Sequence, residues 1–210
     1  MTKQDINFYP NTTESSVNKY IWFRVAKVAS TTILHHLEKH TEICYSERKE
    51  IYTGPRPQYN ESFKFAFVRN PWERLISFYM LHHNIYINKN RVGYKQGNKS
   101  NRRLVSCNTF DEFVERIARK RFDVSICNRH CRLQTCLYPT DSVNFVGRFE
   151  NFQSDFNFVC EKLKINTNFG HRNKGNRQKP YTHYYNSRTI KIVEKKYEQD
   201  IELLGYRFGD

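Results

Sequence analysis

Lys27 stands three residues ahead of a run of small hydroxyl side chains, Ser30, Thr31 and Thr32. An ammonium and clustered hydroxyls give an anion one positive charge and several hydrogen-bond donors, a combination that suits a phosphate. The flanking sequence strengthens this reading. Tyr20-Ile21-Trp22-Phe23 is apolar and β-prone, whereas Ile33, Leu34 and Leu37 follow at helical spacing. The hydroxyls therefore fall where a strand turns into a helix, and at such a start unpaired N–H groups and the positive end of the helix dipole converge. Residues 24–32 contain no glycine, so the Walker A pattern of nucleoside triphosphate hydrolysis is excluded, and no G-x-G-x-x-G follows an expected strand. A hydroxyl-capped helix behind a surface lysine would use the same residues, and a second segment decides between the two.

That segment runs from Lys64 to Tyr79. Residues 64–68 read as a buried strand, Pro71 suits the first turn of a helix, and Leu75, Phe78 and Tyr79 share one helical face. Arg69 leaves the strand end and Ser77 follows two turns into the helix. A guanidinium and a hydroxyl so spaced suit another phosphate.

At these residues the chain resembles the sulfotransferases that use 3′-phosphoadenosine 5′-phosphosulfate (PAPS), in particular the carbohydrate branch with heparan sulfate 2-O-sulfotransferase and the chondroitin and dermatan 4-O-sulfotransferases. Arg24-Val-Ala-Lys-Val-Ala-Ser-Thr-Thr32 is similar to their 5′-phosphosulfate loop, and Phe67-Val-Arg-Asn-Pro-Trp-Glu-Arg-Leu-Ile-Ser77 to their 3′-phosphate motif. The likeness continues through His130-Cys131-Arg132-Leu133-Gln134, through Phe145 to Asn151, and in Tyr197-x-x-Asp200-Ile201-Glu202-x-x-Gly205-Tyr206. Ala26 and Val28 stand where relatives often carry Pro or Gly, and Leu133 where many carry Pro.

The resemblance implies PAPS as sulfuryl donor, with no metal. It places Arg24, Lys27, Ala29, Ser30, Thr31 and Thr32 around the phosphosulfate, Arg69 and Ser77 on the 3′-phosphate, and Lys174 in the basic loop that completes that pocket. Lys27 is then the group that offsets charge on the departing 5′-phosphate oxygen. Because a sugar hydroxyl is a poor nucleophile at neutral pH, a general base is required. His40 and His130 are the leading candidates and Glu50 the third; Glu50, Arg132 and Gln134 are also candidates for contacting the acceptor.

These residues need a scaffold. Strands alternating with helices imply an α/β domain of three layers, a central parallel sheet between helices, with ligands at the C-terminal ends of the strands. Strands are expected at 20–25, 43–45, 64–68 and 143–146. Helices are expected at 31–39, from Pro71, from a capping box at Thr109-Phe-Asp-Glu112, at 152–163, and from about Ile190 to a stop at Gly205. Residues 1–19 read as an irregular arm, 20–210 as one domain, and 84–108 as a basic loop insertion with Lys89, Arg91, Lys95, Lys99, Arg102 and Arg103 and no acid.

A net charge of +14 points to a polyanionic partner. An acidic oligo- or polysaccharide meets that need. A basic nucleic-acid-binding module is the alternative, but no helix-turn-helix, zinc-finger or RNP signature is present. A nucleotide kinase is weakened by the absent Walker glycines. The spacing among Cys127, His130, Cys131 and Cys136 matches no zinc ribbon, so buried free thiols are the expectation. No run approaches the length of a membrane span, and Met1 to Tyr20 lack the apolar core of a signal peptide. A cytoplasmic enzyme is expected if the chain is complete, and a Golgi catalytic portion if it is a fragment.

Overall fold

The computed structural model describes residues 12–45, 61–87, 107–119, 130–170 and 179–210. Its backbone divides into two compact units. The first holds residues up to Arg69 together with Gln134–Lys174, and the second holds Asn70–Leu133 together with Gly175–Asp210.

The first unit is built on a five-stranded sheet. Its strands are β1 (Thr12–Ser15), β2 (Tyr20–Phe23), β3 (Cys44–Tyr45), β4 (Phe63–Val68) and β5 (Phe145–Arg148), in the order β3-β1-β2-β4-β5. The parallel arrangement expected from the sequence holds at the centre, where β2, β4 and β5 run together. The edge differs: β1 pairs antiparallel with both β2 and β3. Thr12–Ser15 therefore forms a strand within the segment expected to be irregular. Only four residues separate β1 from β2, which permits a hairpin and no crossover helix. Asn18 closes that turn, its N–H donating to Ser15 Oγ at 3.0 Å.

Two helices belong to this unit, α1 (Ser30–His40) and a second, Phe152–Leu163, that matches the sequence reading residue for residue. Alternation along the strands puts Trp22, Phe65 and Phe67 on one face of the sheet, where Trp22 and Phe65 stack at 6.3 Å. Phe67 meets Phe152 and Phe156 of the second helix at 5.6 and 6.0 Å, and Phe156 meets His36 of α1 at 5.5 Å. These phenylalanines form the aromatic core of the first unit. It admits no excess volume: a Cβ on Gly147, in β5, would run into the Phe67 ring.

The second unit is helical. Its elements in chain order are α2 (Pro71–Ile87), α3 (Phe110–Ala118), α5 (Ser187–Lys196) and α6 (Glu198–Leu204), which makes the helix of the first unit at Phe152–Leu163 α4. Asn70 caps α2 by accepting the Trp72 N–H at 3.1 Å, and Pro71 follows where a missing N–H costs nothing. Thr109 accepts the Glu112 N–H as the sequence implied, and Phe113, Val114 and Ile117 are buried. The final helix is two helices. Tyr197 breaks it with φ −115° and ψ 21°, and its buried hydroxyl donates to the Cys131 carbonyl at 2.8 Å. Gly205 ends α6 in the left-handed conformation, as expected. Four residues assigned by sequence to the basic insertion, 84–87, extend α2 instead; residues 88–106 lie outside the described residues. No helix among the described residues is long and apolar enough to cross a membrane.

Candidate active site

The loop after β2 is where the sequence places phosphate recognition, and its backbone is unusual. Lys27 and Ala29 both adopt positive φ, 73° and 61°, a region in which an L-residue with a Cβ costs about 1–3 kcal/mol. Relatives were noted to carry glycine nearby, and here the same turn is made without it. Left-handed residues alternating with others turn successive N–H groups toward one side, the concavity that binds anions in phosphate loops. Helix α1 begins at the next residue with no side chain capping it.

Four hydrogen bonds hold this loop in shape. Ser30 donates its hydroxyl proton to the Val25 carbonyl at 2.6 Å, tying the start of the loop to the start of the helix. Thr32 and Ile33 N–H groups both donate to the Ala29 carbonyl, at 2.8 and 3.1 Å. Arg69 reaches across from the end of β4, and its Nη1 donates to the Lys27 carbonyl at 3.1 Å. The parallel register explains the reach. Phe23 pairs with Ala66, so the loop departs beside the last residues of β4.

Arg69 is itself held from two directions. Its guanidinium lies over the Phe149 ring, 3.8 Å from the centroid. Its backbone is bracketed by the Gln134 amide, whose Oε1 accepts the Arg69 N–H at 2.9 Å while Nε2 donates to the Arg69 carbonyl at 2.8 Å. Gln134 is fully buried. Gln134, expected as an acceptor contact, here uses one acceptor and one donor of its amide to position Arg69.

Other expected site residues of the first unit are distributed unevenly. Arg24 lies 5.4 Å from the Trp22 ring centroid, Thr31 is exposed, and Thr32 is buried. The Ser30 hydroxyl, expected to donate to the anion, gives its proton to Val25. His40 is the last residue of α1, eleven residues long, and a rise of 1.5 Å per residue sets it about 15 Å from the loop at the helix start. Its ring lies 4.5 Å from that of His36. The structure thus sets His40 at the end of α1 away from the Lys27 loop, where the sequence reading placed it.

His36 was not singled out, yet it is the more constrained histidine. It is 4% exposed, its Nε2 donates to the Asn166 carbonyl at 2.5 Å, and Phe156 and Phe169 meet its ring edge-on. Burial lowers its pKa, assisted by His40, Lys39 and His35 and partly opposed by the Asn166 hydrogen bond. The neutral ring is a structural member.

In the second unit, Ser77 is half-buried on α2. The 130–132 segment is gripped by its backbone: buried Arg74 donates to the Arg132 carbonyl at 2.8 Å, alongside the Tyr197 bond to Cys131. His130 stacks on Phe78 with ring centroids 5.4 Å apart. Glu50 and Lys174 lie outside the described residues. Cys107, Cys131, Cys136 and Cys160 are free thiols, and no cluster of three or more His, Cys, Asp or Glu is gathered among the described residues.

A phosphate loop of this shape serves many nucleotide enzymes, and a comparison over the whole chain separates them. The family model described as "Sulfotransferase family" matches residues 11–207. The chain belongs to the sulfotransferase family. The matched region contains every element described above, from the strand before β2 to the end of α6, and with them both segments singled out in the sequence. No curated protein and no solved structure matches the chain significantly.

Two features of this sulfotransferase site escaped the sequence reading. Phe149 lay in a quoted block without a role, although the pairing of Val68 with Arg148 makes Arg69 and Phe149 the first residues beyond two adjacent parallel strands. Gln134 was noticed, but nothing in a sequence distinguishes an amide that binds a ligand from one that binds a backbone.

Proposed function

We propose that this sulfotransferase moves the sulfuryl group of PAPS to a hydroxyl of an anionic carbohydrate. The observation that carries the donor is the left-handed Lys27, three residues before the uncapped start of α1 at Ser30 and held by Arg69 of the second candidate segment. The charge balance supports the acceptor class, because +14 attracts a polyanion from a distance.

In the reaction, the acceptor oxygen forms a bond to sulfur as the bond from sulfur to the bridging oxygen of the 5′-phosphate breaks. The hydroxyl proton passes to a base, and the products are the sulfate ester and adenosine 3′,5′-bisphosphate. The strand ends and the start of α1 fix the donor's anionic groups, so alignment rather than covalent chemistry is the protein's main contribution. Lys27 stabilises charge on the leaving oxygen. Arg69 takes the 3′-phosphate, the role that the family resemblance also gives Ser77 and Lys174, and the stack on Phe149 fixes the plane in which the guanidinium donors lie. His40, His130 and Glu50 are the candidates for the base.

The test is transfer of label from sulfur-35 PAPS to a panel of glycan, phenolic and lipid acceptors. Incorporation into an acidic glycan, reduced at least about 100-fold in Lys27→Ala, is the expected result. Labelling confined to phenols or lipids would retract the carbohydrate acceptor, and equal rates in Lys27→Ala would retract the role of the lysine.

A further inference from the structure

We infer that Phe149 is a positioning residue for the catalytic lysine: its ring holds the Arg69 guanidinium where Nη1 keeps the Lys27 carbonyl in the left-handed turn. This rests on the donor site proposed above.

A left-handed lysine is not self-supporting. Without glycine, the loop conformation at Lys27 must be maintained by its surroundings. The Lys27 carbonyl is one point at which this can be done, and the Arg69 side chain is the group that reaches it. An arginine side chain has several rotatable bonds, so its hold on a carbonyl depends on what else orders it. The structure supplies two further restraints. Gln134 clamps the Arg69 backbone, and Phe149 lies under the guanidinium face, with the cation 3.8 Å from the ring centroid. This is close for such a contact, which acts within about 6 Å.

Phe149 is in turn anchored. It opens a single turn of 3-10 helix, Phe149–Asn151, between β5 and α4. The preceding Arg148 N–H donates to Asp155 at 2.6 Å, and the Phe149 ring lies 6.5 Å from Phe152, which packs on Phe67 in the core. A chain of contacts therefore runs from the aromatic core through Phe149 and Arg69 to the backbone of Lys27. The consequence is specific. Disturbing Phe149 will loosen the 5′-phosphate loop even when no 3′-phosphate is present.

Two measurements on the full chain test this with Phe149→Leu, which keeps apolar volume but loses the ring face, and Phe149→Tyr, which keeps both. Amide hydrogen exchange in the ligand-free protein is expected to accelerate about tenfold at residues 26–31 in Phe149→Leu and to stay within about twofold of the parent in Phe149→Tyr. Calorimetric titration with adenosine 3′,5′-bisphosphate and with 5′-AMP is expected to show Phe149→Leu weakening both ligands about tenfold, with Phe149→Tyr restoring both. Unchanged loop exchange would overturn the inference. So would weakening of the bisphosphate alone, which would confine Phe149 to the 3′-phosphate contact. Failure of the donor reading looks different: the parent protein would bind the bisphosphate no better than 5′-AMP, whatever the exchange data show.

Discussion

Replacing Gln134 isolates the clamp on Arg69 from the chemistry it serves. The Gln134 side chain is fully buried and satisfies two backbone groups of Arg69, at 2.9 and 2.8 Å. In Gln134→Leu both groups lose their partner in a site that water does not enter. Each orphaned group costs about 1–3 kcal/mol, and the added apolar burial returns about 1 kcal/mol, so a net loss of about 3 kcal/mol is expected. For a chain of this size that lowers the melting temperature by about 6–12 °C. Gln134→Glu tests the direction of each hydrogen bond. A carboxylate still accepts the Arg69 N–H, but it faces the Arg69 carbonyl with no proton to give. Burial and that carbonyl raise the new carboxyl's pKa in the folded state above its unfolded value. The native state then binds the proton more tightly, so stability is fully present below the unfolded carboxylate pKa and is lost as pH rises through the folded one. Relative to the parent protein, Gln134→Glu should be nearly as stable near pH 4 and about 3 kcal/mol weaker at pH 7. Urea unfolding of the three proteins between pH 4 and 8 measures this. A loss below about 0.5 kcal/mol in Gln134→Leu, or a Gln134→Glu deficit independent of pH, would refute the clamp.

Further expectations concern the core and its titratable groups. Gly147→Ala pushes a methyl into the Phe67 ring, which is enclosed by Phe65, Phe145, Phe152 and Phe156, and should cost about 1–3 kcal/mol by thermal unfolding followed by circular dichroism. Because His36 has a lowered folded pKa, its contribution is present above the unfolded histidine value and is lost as pH falls below it. Stability should therefore decline on acidification from pH 7 toward 5, and His36→Gln should flatten that slope in the same unfolding assay. Burial pushes the Cys160 thiol up to about 12, with Glu161 adding to the shift, so native protein at pH 8 should leave Cys160 unalkylated by iodoacetamide in peptide mapping while urea exposes it.

The sequence carried the local grammar of this fold well. The N-cap at Thr109, the stop at Gly205 and the helix at 152–163 were each written in short-range signals that tertiary structure left intact, although the Glu112 carboxylate takes the Asn108 N–H rather than closing a capping box on Thr109. Strand β1 was not, because Thr12–Ser15 has no alternation of apolar and polar residues; its pairing with β2 comes from a four-residue turn. Nor was the break at Tyr197, where helical periodicity continues across the interruption and a hydrogen bond to Cys131, far away in sequence, ends the helix. At the site, the placement of Lys27 in the loop after β2 and of Arg69 at the end of β4 was legible from residue type and spacing. What supports them was not. Whether Ser30 donates to a ligand or to Val25, and whether Gln134 meets a substrate or Arg69, depends on distances that only the folded chain defines.

The central claim is that the Lys27 loop and Arg69 form a site for a nucleotide bearing phosphate at both its 3′ and 5′ positions. Isothermal titration of the parent protein with adenosine 3′,5′-bisphosphate and with 5′-AMP tests it most directly. A charge-assisted contact from Arg69 to the added phosphate is worth about 1.5–3 kcal/mol, so the bisphosphate should bind roughly 10- to 100-fold more tightly. Equal affinity for the two nucleotides, or binding of neither, would contradict the account.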